Sequence, residues 1–564
     1  MFDVAGLHKR VRATVEMGRI TGTIGVTYRK LTWILLGAYA AYYIVLCFFL
    51  PVPKIVNGLL DDSFYYLQVA RSVAHGLGSS FDGVEPTNGY HPLWMLLLVP
   101  TQAIVGSRPG AGLTLALGLS MVLGICSLLA LRRILVRECD GWTAAAGMLL
   151  FAWPRIFGQT INLLETGLLL LLCLLTVGLL LRQGGLTTAA KAGFGVLLGL
   201  AALARLDSVF LLIAIVLFGI HRAAQRMDLI KTGRAWGESR GGFASRLWSN
   251  LWPLVLTTLV VAPYLLWNWT TFGHLQPVSG AIKSSFPHPR PHLEYLRQFP
   301  DFTILLVIGA IFFAASLRRG ASRIVHVLGL FGLAGILHMI YTVLFMAWGV
   351  DRWHFGILIP IALIGIPWMA HRVFDALAIG RNSGVLWVVL VIGMIGAAGV
   401  QVISLRARDE RHLAASREVA LWARDNLPPD AVYGMADAGV FAYFSDRRTV
   451  NLDGLINNYR YQDALRAGRV VEYLRERQVG YIFDQYVYGR PEWISGRYES
   501  RTFRFWVRPE NRLAGEVTLY RDDEVHRVNL LARWTAEDTP EPGALILYRY
   551  RPEEQRLPQT PPRD

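Results

Sequence analysis

Two adjacent aspartates, Asp61 and Asp62, stand at the head of an aromatic stretch, "DDSFYYLQVARSVAHGLG". A carboxylate in the first turn of a helix accepts hydrogen bonds from free backbone N–H groups. A partly buried carboxylate has a raised pKa and can also take up a proton during a reaction. Because a cap requires only one acid, the pair leaves two interpretations open, a helix cap and an acid–base site.

The residues after the pair predict the element that carries it. Polar and apolar positions recur with helical spacing, a pattern that indicates an amphipathic helix lying on a membrane surface. The next segment, "FDGVEPTNGYHPLW", is rich in turn residues and predicts a structured loop that brings His91 toward the same face as the two aspartates. His91 is then either a hydrogen-bonded turn residue before Pro92 or a substrate contact.

The composition predicts the solvent around these residues. Of 564 residues, 53% are hydrophobic and 17% are charged, and the mean hydropathy is +0.37, which indicates an integral membrane protein rather than a large soluble enzyme. Apolar runs long enough to cross a bilayer predict a polytopic α-helical membrane protein with about 11 transmembrane segments. The clearest runs are 31–50, 111–131, 142–160, 163–182, 193–220, 250–269, 302–317, 324–347, 354–371 and 383–403.

The distribution of basic residues predicts the orientation. Segments 1–30 and 220–248 each carry six Lys or Arg against two acids, so both are expected on the cytoplasmic side of the plasma (inner) membrane. The loop 51–90 and everything after residue 404 then lie on the external, periplasmic face. The net charge of +15 follows from basic loops that face membrane lipids, and it does not predict a nucleic-acid partner.

One apolar run, 193–220, contains Arg205 and Asp207. Charges at membrane depth are tolerated only where they face protein or a wet cavity, so the run is predicted to break into two half-length helices at Arg205-Leu206-Asp207. Segment 91–106 is then re-entrant or interfacial. The alternative is that 91–106 spans the membrane and that several arginines face outward.

The chain changes character near residue 405, where charged residues become frequent and no further spanning run occurs. Strand patterns in "AVYGMADAG", "RTVNLDGL" and "VGYIFDQY", and helical patterns in "GVFAYF" and "QDALRAGRVVEYLRERQ", predict a small α/β domain, with late hairpin-like strands in "EVTLYRDDEVHRVNLLARW" and "ALILYRY". The predicted domains are a cytoplasmic segment 1–30, a transmembrane domain 31–404, an external domain 405–551 and a disordered tail 552–564.

The order of these features resembles a known family. One amino-terminal span, an external loop with a "DD" pair leading into a helix, and an "HPL" turn resemble the GT-C superfamily of membrane glycosyltransferases, which includes protein O-mannosyltransferases, lipid A aminoarabinose transferases and mycobacterial cell-wall arabinofuranosyltransferases. Further segments resemble the family in order: "NLLETG" (162–167), "GLAALARLDS" (199–208), "FGHLQPVSGAIKSS" (272–285), "WGVDRWHFG" (348–356) and "DAGVFAYFSDRRTVNLDGLINN" (437–458).

The resemblance implies a fold and an activity. The fold would be GT-C with an external α/β domain. The enzyme would be an inverting glycosyltransferase that moves a sugar from a polyprenyl-phosphate donor to a hydroxyl of a glycan, lipid or protein acceptor, in cell-envelope glycan synthesis. Asp61 would be the general base, and Asp62 would orient the acceptor, share the proton or cap the helix. Glu165 would hydrogen-bond the sugar or acceptor, although an acid at a helix start is the alternative.

Cations and polar rings complete the predicted site. Lys283, Arg352 and Arg205 are candidates to hold the leaving phosphate. Arg352 could instead extend to lipid headgroups, and Arg205 could merely pair with Asp207. Tyr65, like His91, is a candidate substrate contact. No cofactor is assigned, because the first loop lacks the spaced DxD of the oligosaccharyltransferase branch, and a need for Mg or Mn is left open.

Two other functions fit some of these features. Broken helices and intramembrane charges also mark transporters and flippases, although no internally repeated halves are visible in the sequence. A non-catalytic protein that binds glycans through its external domain is the third hypothesis. Replacement of the acids distinguishes the enzyme from both.

Overall fold

The computed structural model describes residues 28–182, 187–231, 248, 251–318, 320–377, 384–406, 413–485, 500–507, 510, 512–521 and 545–549. Nearly all of the predicted amino-terminal segment 1–30, much of the basic segment 220–248 and the predicted tail 552–564 lie outside the described residues.

Before position 407, the long elements of regular secondary structure among the described residues are helices. They are α1 (Tyr28–Phe49), α2 (Val52–Asn57), α3 (Asp61–Ala74), α4 (Pro92–Val105), α5 (Pro109–Glu138), α6 (Gly141–Phe151), α7 (Pro154–Ile161), α8 (Thr166–Leu180), α9 (Thr188–Ala204), α10 (Val209–Lys231), α11 (Pro253–Phe272), α12 (Val278–Lys283), α13 (Glu294–Gln298), α14 (Pro300–Ser316), α15 (Arg323–Phe345), α16 (Ile366–Ala376) and α17 (Gly384–Arg406). Short 3₁₀ segments cover Leu206–Ser208 and Arg352–Leu358.

Four of these helices, α1, α5, α11 and α15, are long and apolar enough to cross a membrane within the described part of the chain. The number rises to six if two bent pairs each count as one span: α7 with α8, bent by 108°, and Arg352–Leu358 with Ile361–Ala376, bent by 49°. Several predicted runs are divided by prolines or turns into helices of 17 residues or fewer. The chain is a mainly helical, multi-pass membrane protein, and the count of about 11 spans stays a prediction.

The predicted break at Arg205 is confirmed. Helix α9 ends at Ala204, Arg205 is extended (φ −148°, ψ 120°), and α10 begins at Val209 after one 3₁₀ turn. The prediction of half-length helices is wrong, because α9 has 17 residues and α10 has 23. Good helix formers before residue 193 and after residue 220 extend both helices beyond the apolar run.

Helix α4 keeps both of its ends on one side of the molecule. Its start, at His91, lies in the cavity described below. Near its end, the hydroxyl of Tyr443, from the carboxyl-terminal region, lies 2.8 Å from Gln102 Oε1 and 3.0 Å from the Pro109 carbonyl oxygen and can donate its hydrogen to either. This arrangement favours the interfacial alternative for 91–106 over a full crossing.

The carboxyl-terminal region has an α/β fold. Its elements are α18 (Leu413–Asn426), β1 (Tyr433–Met435), α19 (Gly439–Ser445), β2 (Thr449–Asn451), α20 (Tyr459–Arg466), α21 (Val470–Glu476), β3 (Tyr481–Gln485), β4 (Ser500–Val507), β5 (Arg512–Arg521) and β6 (Leu545–Arg549). The sheet order is β2-β1-β3-β6-β5-β4, with β2-β1-β3 parallel and the remaining pairs antiparallel. The single helix predicted over 462–478 is two helices, separated near Gly468, whose φ of +68° favours glycine.

Helix α3 is buried between α4 and α19 rather than lying on a membrane surface. Ten of its residues, from Ser63 to Ser72, are buried. The Phe64 ring lies 5.8 Å from Tyr443 and 5.9 Å from Phe444. Its polar face is covered as well, because the Arg71 guanidinium donates to the Tyr443 carbonyl at 2.8 Å. The surface-helix prediction fails because the carboxyl-terminal region supplies partners for that face.

Candidate active site

A cavity of about 70 Å³ lies where α3, α12 and the break at Arg205 meet the loop after β2. It is small, but its walls are unusually rich in ionisable groups. Six of the eight residues predicted from the sequence line it: Asp62, Tyr65, His91, Glu165, Arg205 and Lys283. The structure therefore brings together side chains that are up to 221 positions apart in the sequence, from Asp62 to Lys283.

Asp61 does not line this cavity. Its carboxylate oxygens accept hydrogen bonds from the backbone N–H groups of Gly439, at 2.7 Å, and Val440, at 2.9 Å, at the start of α19. Asp61 thus caps a helix of the carboxyl-terminal region, whereas its own helix α3 has no side-chain cap at Leu60. Burial, followed by the nearby Asp437 carboxylate, raises the pKa of Asp61 well above its ordinary value.

Asp62 lines the cavity, where neighbouring charges shift its pKa in opposite directions. Burial raises the pKa of Asp62, and the carboxylates of Asp453 and Glu165 act in the same direction. The Lys283 ammonium opposes them. The result is a partly buried carboxyl whose pKa lies above its ordinary value, which is the property that a proton acceptor for a hydroxyl needs.

A buried ionic network forms the floor of the cavity. Arg205 donates from Nη1 to Glu165 Oε1 at 2.5 Å, and from Nε and Nη2 to Asp207 at 3.0 and 2.6 Å. Both Arg205 and Glu165 are 2% exposed. Tyr66 donates its hydroxyl to the second oxygen of Glu165 at 2.7 Å. Since each buried charge is paired and hydrogen-bonded, the network can hold a fixed geometry at the membrane boundary.

His91 is fixed by the same network. Its Nδ1 accepts a hydrogen bond from the Leu206 N–H at 3.3 Å, which places the ring proton on Nε2, and Nε2 lies 3.7 Å from Glu165 Oε1. Burial lowers the pKa of His91, so the ring is neutral at neutral pH. A neutral imidazole in this position can donate one hydrogen bond toward the cavity.

Lys283 stands opposite Asp62, at the end of α12. Its carbonyl accepts a hydrogen bond from Ala347 at 2.9 Å, and its side chain passes over Gly349. A Cβ at Gly349 would lie 3.0 Å from Lys283 Cε, and the φ of +66° also favours glycine there. Burial lowers the pKa of Lys283, with the Asp62 carboxylate acting in the opposite direction.

Arg352 lies outside the cavity lining. Asp351 caps the 3₁₀ segment by accepting the Arg352 N–H at 2.5 Å, and this turn directs Trp353 and His354 into the cavity instead. From "WGVDRWHFG", the sequence prediction selected Arg352 and missed the two residues that follow it, Trp353 and His354. Consecutive residues of a tight turn point in different directions, so the motif alone could not decide which of them faces the site.

The carboxyl-terminal region contributes the remaining wall. Asp437 and Asp453 each follow the carboxyl end of a parallel strand, β1 and β2, so they lie at one edge of the sheet. The Tyr65 hydroxyl donates to Asp453 Oδ2 at 2.6 Å, and Leu455 lines the cavity. The enclosing protein and then the Asp453 carboxylate raise the pKa of Asp437 to about 7, although this residue faces solvent.

The close approach of this wall depends on Gly89. A Cβ at Gly89 would collide with the backbone carbonyl of Leu455 and would lie 2.9 Å from the Ile456 Cα. Two residues earlier, the Thr87 hydroxyl donates to the Asn457 carbonyl at 2.5 Å. The first loop and the carboxyl-terminal region are therefore fitted together at backbone level. In the sequence, Gly89 in "TNGYHPLW" is the one residue that indicates a close approach. Nothing in the sequence indicates that Leu455 is its partner.

The described acids and histidines do not fit a divalent metal ion. No group of three or more His, Cys, Asp or Glu among the described residues is arranged to hold one. Asp61 already accepts two N–H donors, and Asp62 faces an ammonium group.

Comparisons with known proteins found one family model and several solved structures that are similar to the chain. Residues 403–542 match the family described as Domain of unknown function (DUF8728). No curated protein matches the sequence. ArnT from Cupriavidus metallidurans in the apo state is 15% identical, with 93% of this chain and 99% of that chain covered and a TM-score of 0.49.

Two further solved structures are similar. ArnT from the same organism bound to undecaprenyl phosphate is 14% identical, with 81% of this chain and 96% of that chain covered and a TM-score of 0.47. Archaeal oligosaccharyltransferase AglB from Archaeoglobus fulgidus, in complex with an inhibitory peptide and a dolichol-phosphate, is 13% identical, with 86% and 74% covered and a TM-score of 0.47. Both neighbours belong to the GT-C superfamily that the sequence resembles, and at these TM-scores the similarity assigns no activity to this chain.

Proposed function

We propose that this protein is an inverting membrane glycosyltransferase that moves a sugar from a polyprenyl-phosphate donor to an acceptor hydroxyl. The reaction takes place at the external face of the plasma membrane, and the acceptor is a glycan, lipid or protein of the cell envelope. One observation carries the proposal: a carboxyl with a raised pKa, Asp62, and a cation, Lys283, line one cavity above a paired ionic floor.

These two groups match the two charges that change during transfer. The acceptor oxygen attacks C1 of the sugar, its proton passes to Asp62, and the bond from C1 to the phosphate oxygen breaks. The negative charge that develops on the leaving phosphate is stabilised by Lys283. Attack from the face opposite the phosphate inverts the configuration at C1.

The ionic floor supports this reaction without supplying a free cation for the phosphate. Arg205 is paired with two carboxylates, Glu165 and Asp207, so its main task is to orient Glu165 and, through the Arg205 break, His91. His91 and Tyr65 face the same cavity and can contact hydroxyl groups of the sugar or acceptor. His354 and Trp353 join them as substrate contacts that the sequence did not predict.

The roles of the aspartate pair are reversed in this proposal relative to the sequence prediction. Asp62 is the base because it faces the cavity. Asp61 is a positioning residue, since both of its oxygens are engaged by Gly439 and Val440. It attaches α3, and with it Asp62, to the carboxyl-terminal region.

The proposal is tested in two steps. Mass spectrometry of lipid that copurifies with the protein is expected to find a polyprenyl phosphate or its glycosylated form, which identifies the donor. With that donor, Asp62→Asn is expected to lower transfer by roughly 10²- to 10⁴-fold, the usual contribution of a general base, while donor binding persists.

The control for this variant is Asp463→Asn, which changes an exposed carboxyl on α20. Normal transfer by Asp62→Asn would contradict the role of the base. Purified protein that neither carries nor binds any polyprenyl phosphate would contradict the reaction class, and would favour a glycan-binding function instead.

A further inference from the structure

A second cavity, of about 400 Å³, lies far from the candidate active site, between α5, α8 and α9. Helix α8 begins next to Glu165, in the active site, and ends at Leu180, beside this second cavity. The α8 residues that line the second cavity run from Leu174 to Leu179, which at about 1.5 Å per residue lie roughly 13 to 21 Å along the helix from Glu165. The second cavity therefore lies toward the opposite membrane face, and none of its residues takes part in the proposed reaction.

The walls of this groove are apolar. Ile134 of α5, Leu174 and Leu179 of α8 and Leu197 of α9 line it, and its volume falls within the roughly 300–1,000 Å³ typical of ligand sites. Gly178 keeps one side open, because a Cβ there would contact only the Ile134 side chain, at 3.7 Å. Such walls suit a hydrocarbon chain.

One end of the groove is basic. Arg133, Arg137 and Arg182 line it together with a single acid, Glu138. Arg137 lies 3.5 Å from Glu138, whereas Arg133 and Arg182 form no ion pair with any other residue that the structure describes. The Arg323 guanidinium, which donates to the Arg182 carbonyl, adds a further cation beside this end. The positive charge exceeds the negative charge here by at least two.

We propose that this groove binds an anionic phospholipid. Its phosphate lies against Arg133 and Arg182, and one acyl chain follows the apolar walls formed by α5 and α8. Charge complementarity selects the headgroup, because two guanidinium groups without acidic partners attract a phosphate at the membrane boundary. The positive-inside rule assigns this end of the helices to the cytoplasmic leaflet, which is rich in anionic lipid.

Native mass spectrometry of the full chain tests the assignment, with phosphatidylglycerol and phosphatidylcholine as probes. Wild type is expected to prefer phosphatidylglycerol. The double variant Arg133→Gln/Arg182→Gln is expected to bind it about 10- to 30-fold more weakly, given the attraction of each basic residue for an anionic membrane. The matched control is Arg318→Gln, an exposed arginine after α14 that does not line the groove.

A second measurement locates the bound lipid on the wild-type protein. Phosphatidylglycerol with a photoactivatable acyl chain is expected to label residues 174–182 of the wild-type protein, and Gly178→Leu, which fills the groove, is expected to lose that label. Equal binding of phosphatidylcholine, an equal loss of binding in Arg318→Gln, or labelling only outside the walls that α5, α8 and α9 contribute to the groove would overturn the proposal. So would displacement of phosphatidylglycerol by polyprenyl phosphate or by inorganic phosphate at equal concentration, since each identifies a different occupant.

Discussion

Replacing Asp61 by alanine separates the two roles that the aspartate pair could have. The change removes both acceptors for the Gly439 and Val440 N–H groups, which lie at the buried start of α19. A hydrogen bond to a charged group contributes about 1.5–3 kcal/mol, and a buried donor without a partner costs about 1–3 kcal/mol. The two donors left without partners predict a loss of about 2–6 kcal/mol in the attachment of α19 to α3. Asp61→Asn keeps one acceptor oxygen, so it should lose about half as much.

Hydrogen exchange of the segment 437–446, followed by mass spectrometry, measures this attachment. A loss of about 2–6 kcal/mol corresponds to roughly 30-fold to about 25,000-fold faster exchange, if the amides exchange through local opening. Asp62→Ala is the matched control, because it removes the neighbouring carboxylate without touching these amides. Its exchange in 437–446 should equal that of wild type.

Two results would refute this reasoning. Unchanged protection of 437–446 in Asp61→Ala would show that the two hydrogen bonds do not hold the regions together. Complete loss of transfer in Asp61→Asn with full protection would make Asp61 the base, as the sequence predicted, and would exclude the reversed assignment.

Three further predictions concern the cavity and its walls. Lys283→Met is expected to weaken binding of polyprenyl phosphate by roughly 10- to 150-fold, the equivalent of one charge-assisted hydrogen bond, and unchanged affinity in native mass spectrometry would contradict the phosphate-holding role. The pKa of Asp437 is raised from 3.8 to about 7, so the folded state binds its proton more tightly than the unfolded state does, and stability should fall as the pH rises from about 4 to 7. The unfolding temperature should therefore change less with pH across this range in Asp437→Asn than in wild type. An equal change in both proteins would contradict this prediction. Gly89→Ala, which places a methyl against the Leu455 carbonyl, should lower the unfolding temperature, whereas Gly158→Ala, which meets open space, should not; equal changes would count against the close fit.

Local patterns predicted a large part of the structure. The break at Arg205 follows from charges inside an apolar run, and β1, α19 and β3 follow from short periodic segments. Arg205 was found because a charge inside an apolar run needs a partner, whereas most other residues of the cavity were chosen from the resemblance to the GT-C superfamily. The break and the three short elements depend only on neighbouring residues.

Predictions that depended on distant partners failed. Adjacent residues on a helix point about 100° apart, so either Asp61 or Asp62 could have faced the cavity. The N–H groups of Gly439 and Val440 bind the Asp61 carboxylate and leave Asp62 facing the cavity. These two residues lie 378 and 379 positions further along the chain. The surface-helix prediction for α3 failed for the same reason. No residue near position 61 indicates that α19 covers this helix.

The contacts that close the candidate active site also bear on how the protein is made. Tyr65 and Asp453 are 388 positions apart, and Asp61 and Gly439 are 378 apart. A nascent chain that has emerged only as far as residue 404 carries Asp62, Glu165 and Lys283, but it lacks Leu455 and the partners of Asp61. The candidate active site is therefore completed late in synthesis, and under the proposed function a product truncated before β1 should lack transfer activity.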